Sequence, residues 1–299
     1  MNNSAHDESS KIQTIADYFM RVNEVAQKLI KDESKASLIV YRGHSNNEYQ
    51  LIPSLFRDEN KNIKEREAEL LREIEATHPR EFVGMNTIDK LALLQHYQFP
   101  TRIMDFTFDP LVALFFAVES LSQDNGAVVV CRIPDNDVKE YDDEAVITLA
   151  NLAQLSKSEQ CELKEKDIRE SFDKGRAITW DGLPSREPEN TADKFVKFLL
   201  EDMPRFNDEK LRDDFSLSKP VFVRTKQFNP RIVAQRGAFL LFGKEDLERS
   251  GISIEKIVIR SEDKCVLRAE LKRIGISNAS MFPEFEHFLT SIRDENKRN

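Results

Sequence analysis

Apolar residues recur at Ile15, Phe19, Val22, Ala26 and Leu29. Three- and four-residue steps of this kind put one face of a helix inward. Thr14 with Asp17 supplies a capping-box start, and the polar residues 1–11 before it are expected to fray. The run Ser37-Leu38-Ile39-Val40-Tyr41-Arg42 then reads as a short apolar strand ending at Gly43. Leu51-Ile52-Pro53-Ser54-Leu55 follows as an extended or turn segment. Asn62 to Ala76 is a charged helix with Ile63, Leu70, Leu71 and Ile74 inward, and Leu91 to Tyr97 another. Pro110 to Leu121 is almost wholly apolar, so a buried helix is predicted there. Asp109 serves as its N-cap and Pro110 as its first residue. Gly126 to Ile133 is a buried strand of β-branched residues, stopped by Pro134.

The second half has a different texture. Residues 135–218 are acidic, rich in Lys and Glu and weakly periodic. They predict a mainly helical insertion with irregular joints around Gly182-Leu183-Pro184. Val221–Arg224 and Gly237–Phe242 return to strand pattern, and Ile257–Ile259 adds a third strand after a turn at Gly251. Cys265 to Gly275 and Glu284 to Arg293 close the chain as helices. Helices and strands do not alternate strictly, which predicts an α+β fold. The 299 residues divide into an N-terminal helix over 1–36 and one domain over 37–299.

Composition narrows the function classes. The net charge of -9 argues against a global grip on nucleic acid or an anionic membrane, and no DNA specificity is evident. The cysteines Cys131, Cys161 and Cys265 are odd in number and widely spaced. They predict neither a disulfide framework nor a metal site, and fit a reducing, cytoplasmic setting. Met1-Asn2-Asn3-Ser4 lacks a basic region followed by an apolar run, so no secretory signal is expected. No stretch approaches the length of a membrane span.

Candidate chemistry is concentrated in one segment. Between Gln95 and Ala117 the chain places His96, Thr101, Arg102, Asp105, Thr107 and Asp109 within 14 positions. Upstream, Arg42 ends a strand beside Gly43. An arginine fork suits a phosphate or carboxylate, and glycine lets a ligand approach the backbone. The plainer alternative pairs Arg42 with an internal carboxylate such as Asp105 and leaves Gly43 to the turn. His96 is either a helix-end dipole partner or a proton carrier. Asp105, between Met104 and Phe106, needs a partner if buried; Arg102 or Arg42 would give either a structural ion pair or a substrate clamp. Residues 219–244 hold Lys219, Arg224, Lys226, Arg231, Arg236 and Lys244 and no acidic residue. They form either an anion- or RNA-facing edge or a set of solvated strand faces. No phosphate-binding GxxxxGK[ST] loop, GxGxxG turn, CxxC pair, HExxH helix or GxSxG elbow occurs.

These blocks resemble the FRG domain family, named for its Phe/Tyr-Arg-Gly motif. The resemblance rests on Tyr41-Arg42-Gly43 with Leu51 to Arg57, and on Gln95 to Ala117. It extends to Arg231 to Phe239, and to Ile274-Gly275-Ile276 with Met281 to Phe285. Phe99 and Phe106 depart from the usual central pattern. A weaker similarity links Tyr41-Arg42-Gly43 to Pro53, Phe106-Thr107 to Ala117, and Gly126 to Ile133 with the ADP-ribosyltransferases. That similarity implies a split small β-sheet with flanking helices and NAD as substrate. It implies Arg42, Gly43, Arg102 and Thr107 around the dinucleotide, and Asp105, Gln235 and His96 as the catalytic set. Gln235 stands where that superfamily has a Glu, and an amide cannot act as a base, which moves the base to Asp105.

Two functions follow as expectations. One is an ADP-ribosyltransferase that modifies RNA or protein in a toxin or phage-defence setting, with a regulatory protein partner. The other is a non-catalytic module that binds a nucleotide or RNA through the same cluster, or a protein through surfaces on the insertion while the cluster only holds the strand–helix junction.

Overall fold

The computed structural model describes residues 11–30, 36–120, 123–175, 189–211, 215–226, 229–244, 252–284 and 289. Helix α1 spans Ile15–Leu29 and starts with the predicted Thr14–Asp17 capping box. Its inward stripe is Tyr18, Val22 and Val25, while Phe19 is 44% exposed. The face is therefore turned by one residue from the predicted one. Strand β1 (Ser37–His44) is followed by α2 (Lys61–Glu65), α3 (Glu67–Thr77) and α4 (Thr87–His96). The single charged helix predicted over 62–76 is broken at Arg66, and its second part turns the acid Glu67 inward.

Strand β2 (Ile103–Thr107) leads into α5 (Pro110–Val118). Asp109 caps α5 by accepting from the Leu111 N–H at 2.9 Å, as predicted; the predicted end at Leu121 lies outside the described residues. Strand β3 spans Gly126–Pro134 and β4 Val138–Glu140. Helices α6 (Glu144–Asn151), α7 (Lys157–Glu162), α8 (Glu165–Gly175) and α9 (Thr191–Asp202) make up most of the described insertion. The joint at Gly182-Leu183-Pro184 falls outside the described residues. Strand β5 (Val221–Arg224), α10 (Pro230–Ala234), β6 (Gly237–Leu241), β7 (Ser253–Ile259), α11 (Lys264–Arg273) and α12 (Asn278–Met281) follow. The predicted Gly251 turn and most of the last predicted helix are likewise outside the described residues.

All seven strands join one mixed sheet in the order β4-β5-β6-β2-β1-β3-β7. The predicted split sheet is thus corrected to a single sheet, but its middle is thin. β1 and β3 are in register over eight pairs, from Ser37–Pro134 to His44–Ala127. β1 and β2 share one, Tyr41 opposite Thr107. Each side of this seam has its own core. The insertion, α3 and α4 bury Leu149, Phe195 and Leu199 with Ile103, Val223 and Phe239 of the sheet. Helices α1, α5 and α11 bury Tyr18, Leu114 and Leu267 with Tyr41, Val128 and Ile257. On the other face Val40, Val129, Met104, Phe106 and Phe222 pack under Leu51, Leu55 and Phe56. The insertion is therefore not an appendage: much of one core comes from it, and β4 extends the sheet by pairing parallel to β5.

Helix α5 lies directly on the backbone of two strands. A Cβ on Gly43 would stand 2.1 Å from the Ala113 carbonyl oxygen, and one on Gly126 2.3 Å from that of Ala117. The space beside Gly43 that was expected to admit a ligand is in part filled by α5. The described cysteines are free thiols. No helix among the described residues is long and apolar enough to cross a membrane, and no cluster of three metal-ligating acids, His or Cys occurs among them.

Candidate functional site

Strand alternation decides which predicted residues can meet. Val40 packs on the Met104–Phe106 face, so Arg42 and His44, two and four residues on, point the same way. Asp105 shares the face of Ile103, toward α4. The Arg42 guanidinium crosses the seam and donates through Nη1 to the main-chain carbonyl of Asp105, not to its carboxylate. That carboxylate accepts from Gln95 Nε2 at 2.9 Å, and Gln95 in turn accepts from the Thr101 hydroxyl at 2.7 Å. The plainer alternative, an Arg42–Asp105 ion pair, is thus replaced by a side-chain bond to the backbone.

Arg102 is committed to internal partners. It is fully buried and forms a two-pronged pair with Glu67, with Nε at 2.9 Å from one oxygen and Nη2 on the other. Its Nη1 donates to the Gly243 carbonyl at 2.7 Å. The assignment of Arg102 to a cofactor is corrected: it ties α3 to the end of β6. Thr107 is equally committed. Its hydroxyl donates to the Gln235 carbonyl at 2.7 Å and accepts from the Asp109 N–H at 3.0 Å. Gln235 Nε2 donates to the Met281 carbonyl at 3.0 Å. His96 Nε2 lies 3.6 Å from Glu284, while Arg231 donates to the His96 carbonyl and covers the Phe282 ring. Asp105 and His96 form one polar region with Gln95 and Arg231, and Gln235 closes the neighbouring β2–α5 junction with Thr107.

Arg42 and Gly43 face a different space. A cavity of about 510 Å³ opens at the end of β1, lined by Arg42, Gly43, His44, Ser45, Tyr49 and Arg57 on one side and by Phe116, Glu119 and Ser120 at the end of α5 on the other. Its volume is that of a small-molecule site. Arg42 Nε donates to His44 Nε2 at 3.2 Å, which orients the guanidinium and leaves Nη2 uncommitted among the described residues. Arg57 is held through its backbone, to Ser54 and Asn60, and its guanidinium makes no hydrogen bond or ion pair with a described residue. Burial first, then the charges of Arg42, Lys256 and Arg57, hold the His44 pKa down to about 3, so the ring is neutral. Burial chiefly lowers Arg42 as well, with Asp105 opposing. Burial raises Cys131 to about 12 beside it, so that thiol is inert. Across the cavity, burial raises the Glu119 carboxyl above its usual range, against Arg268 and Arg231.

The two walls are joined by a residue that sequence pattern did not single out. Lys264 is fully buried, and its Nζ donates to the Ser45 carbonyl at 2.7 Å and the Ser120 carbonyl at 3.1 Å. Gly126 leaves room for its stem, since a Cβ there would sit 3.2 Å from Lys264 Cε. Burial lowers the Lys264 ammonium. Arg57, Glu119 and Lys264 look like ordinary charged residues at helix and turn ends, and no period marks them. The one available signal for Arg57 is its place inside the Leu51–Arg57 block.

The other cavities carry less chemistry. One of about 280 Å³ in the insertion is lined by Glu162, Asp167, Glu170 and Asp193, and its Ser171 hydroxyl is already bonded to Asp193. Another, of about 30 Å³, is too small for a substrate, and its Lys219 and Lys210 are paired with Asp137 and Glu144.

A mixed α/β domain with a cationic cavity at a strand end is thus the class defined by fold and site. Residues 37–126 match the family model of the FRG domain. The matched segment runs from the start of β1 to the start of β3 and holds every residue that lines the cavity. No curated protein and no solved structure matches the chain.

Proposed function

We propose that this protein binds a phosphate-bearing nucleotide in the Arg42 cavity and acts as an ADP-ribosyltransferase-like enzyme with NAD as its substrate. The observation that carries the reading is the pair Arg42 and Arg57, two guanidinium groups lining one cavity with no carboxylate bonded to either. Unpaired arginines at a ligand-sized opening suit a pyrophosphate, whose oxygens accept charge-assisted hydrogen bonds. In a chain of net charge -9 such a local inversion also concentrates anions at the cavity. His44 fixes the Arg42 fork through Nε, and Tyr49 and Phe116 offer aromatic surface for a planar ring. With Nη1 spent on Asp105, Arg42 cannot grip with two parallel bonds alone, and Arg57 supplies the second donor set. The transferase step, RNA or protein as acceptor, and a toxin or defence setting rest on the resemblance set out above.

A non-catalytic nucleotide- or RNA-binding module is the second reading. It is favoured by the internal commitments of the Thr107 hydroxyl and the Gln235 amide nitrogen, which are turned to the Gln235 and Met281 carbonyls. One experiment separates the two. Calorimetric titration of NAD is paired with incubation of labelled NAD and cell lysate. Saturable binding with label in macromolecules supports the transferase, binding without transfer supports a nucleotide-binding module, and no binding rejects NAD as the ligand in either reading. Arg42→Ala, Arg42→Lys and Arg57→Ala should each weaken NAD binding at least tenfold, since a hydrogen bond to a charged group is worth about 1.5–3 kcal/mol. Arg57→Ala should keep a near-wild-type melting curve, whereas the two Arg42 variants also give up bonds to the Asp105 carbonyl and His44 and should melt somewhat lower while still folding. Unchanged affinity in Arg42→Ala and Arg57→Ala would remove the grip from the cavity.

A further inference from the structure

The turn after β1 is held from outside the stretch that matches the family model. Residues 45–49 reverse the chain between β1 and the Leu51–Arg57 block, and the Tyr49 N–H donates to the Asn46 carbonyl at 3.2 Å. Alternate carbonyls of this turn accept from two lysines. Lys264 Nζ donates to Ser45 at 2.7 Å, and Lys256 Nζ to Asn47 at 3.0 Å and Tyr49 at 3.3 Å. Lys256 lies on β7, at the edge of the sheet and beyond residues 37–126. Strand register brings it to this turn. Arg42 stands opposite Val129 across β1 and β3, and Val129 opposite Lys256 across β3 and β7. The two cations therefore share one row and one face of the sheet, with a buried valine between them. The neighbouring Glu255 points to the other face, where it pairs with Lys28 of α1.

The turn in turn supports the cavity. The Tyr49 ring lines it and meets the His44 ring edge-on, with centroids 6.0 Å apart. His44 Nε2 accepts from Arg42 Nε at 3.2 Å. A continuous chain of contacts thus runs from the Lys256 ammonium through the Tyr49 backbone and ring to His44 and the Arg42 guanidinium. Bonds donated by an ammonium are stronger than those between neutral groups, so they fix the turn firmly. We propose that Lys256 is a positioning residue for the Arg42 cavity: by clamping the 45–49 turn it seats Tyr49 against His44 and holds Arg42 in the pose that grips an anion. The inference rests on the reading of this cavity as an anion site and adds to it a residue from the far edge of the sheet. Lys256 is not among the residues that line the cavity, so it acts through the turn and not by touching the ligand.

The test uses the full chain and inorganic pyrophosphate as the probe, with affinities measured by calorimetry on wild type, Lys256→Met, Lys256→Gln and Lys28→Met. Melting curves check that each variant is folded. Lys256→Met is expected to weaken pyrophosphate about tenfold, the low end for losing a hydrogen bond to a charged group. Lys256→Gln, which can still donate to one carbonyl, should recover part of that loss. Lys28→Met removes the ion pair on the opposite face of the same strand and should leave the affinity unchanged. Repeating the titrations at about 0.1 M and about 1 M salt, where the Debye length is about 10 Å and about 3 Å, separates seating from a long-range charge. The ratio of variant to wild type should persist at the higher salt. A ligand-free readout is the ring-current shift that Tyr49 imposes on the His44 ring protons, which should shrink in Lys256→Met and stay in Lys28→Met. An unchanged pyrophosphate affinity or ring-current shift in Lys256→Met, or an affinity loss that vanishes at the higher salt, would overturn the role of Lys256 and leave the cavity reading standing. No pyrophosphate binding by wild type would defeat the cavity reading itself, and the positioning role with it.

Discussion

Gly43→Ala is expected to cost more than about 3 kcal/mol, above the usual range for an overpacked site. The added methyl would lie 2.1 Å from the Ala113 carbonyl oxygen, 2.7 Å from Phe116 Cβ and 2.8 Å from the Ala117 nitrogen. Two of these atoms are helix backbone, so no rotamer change relieves the clash and α5 must lift from β1. That movement would open the Tyr41–Leu114 core and displace Phe116 and Glu119 from the cavity wall. Thermal melting should show a loss of roughly 5–10 °C or failure to fold, at the lower end of the shift per kcal/mol for a chain of this length. Gly84→Ala is the control. Nothing lies within 4 Å of its added Cβ, and only its φ of 74° resists the change, at roughly 1–2 kcal/mol. Equal melting of Gly43→Ala and wild type would show that α5 is not seated as described. The glycine of the motif is thus explained by helix-on-strand packing before any ligand is considered.

Breaking the Arg102–Glu67 pair is expected to be as severe. Either Arg102→Ala or Glu67→Ala strands a charge in a fully buried position, at about 3–5 kcal/mol. That is a large share of a typical domain's stability. Arg102 also satisfies the Gly243 carbonyl, and Gln160 reaches Glu67 from α7, so the loss spreads to the insertion. The double variant Glu67→Ala with Arg102→Ala should lose clearly less than the sum of the single changes, because no charge is left unpaired. Urea denaturation of the four proteins measures this coupling. Additive losses would place the two side chains apart. Arg57→Ala, by contrast, should leave the urea midpoint unchanged, which separates a structural arginine from a ligand-facing one in the same domain.

The parts of the fold that were legible in sequence are those where period and punctuation agree. Thr14 and Asp17 mark the start of α1, Asp109-Pro110 the start of α5, and the Val128-Val129-Val130 run marks β3. Strand β2 was not legible, although it sits in the middle of the sheet. Its five residues Ile-Met-Asp-Phe-Thr carry Asp105 and Thr107, and their polarity reads as chemistry when it is in fact satisfied by Gln95 and by the α5 cap. Strand β4 is too short to show alternation. The break at Arg66 was hidden because the inward residue of the next turn is an acid, Glu67, and its burial makes sense only once Arg102 is seen beside it. For the site, Arg42 and Gly43 were found from the motif. The partition of Asp105 from Arg42 needed strand register, which a linear sequence does not display. Glu119 and Lys264 needed the third dimension entirely: each is one charged residue at a helix end, and only the shared cavity wall relates them.

The thin seam between β1 and β2 puts weight on what lies beside it. The leaves share the single Tyr41–Thr107 backbone pair, so their hold on one another comes mainly from side chains. On one face Val40 and Val129 pack with Met104, Phe106 and Phe222 across the seam, and Arg42 reaches over it to the Asp105 carbonyl. The guanidinium that lines the cavity therefore also stitches the two leaves, and position 42 answers to the sheet as well as to anything the cavity holds.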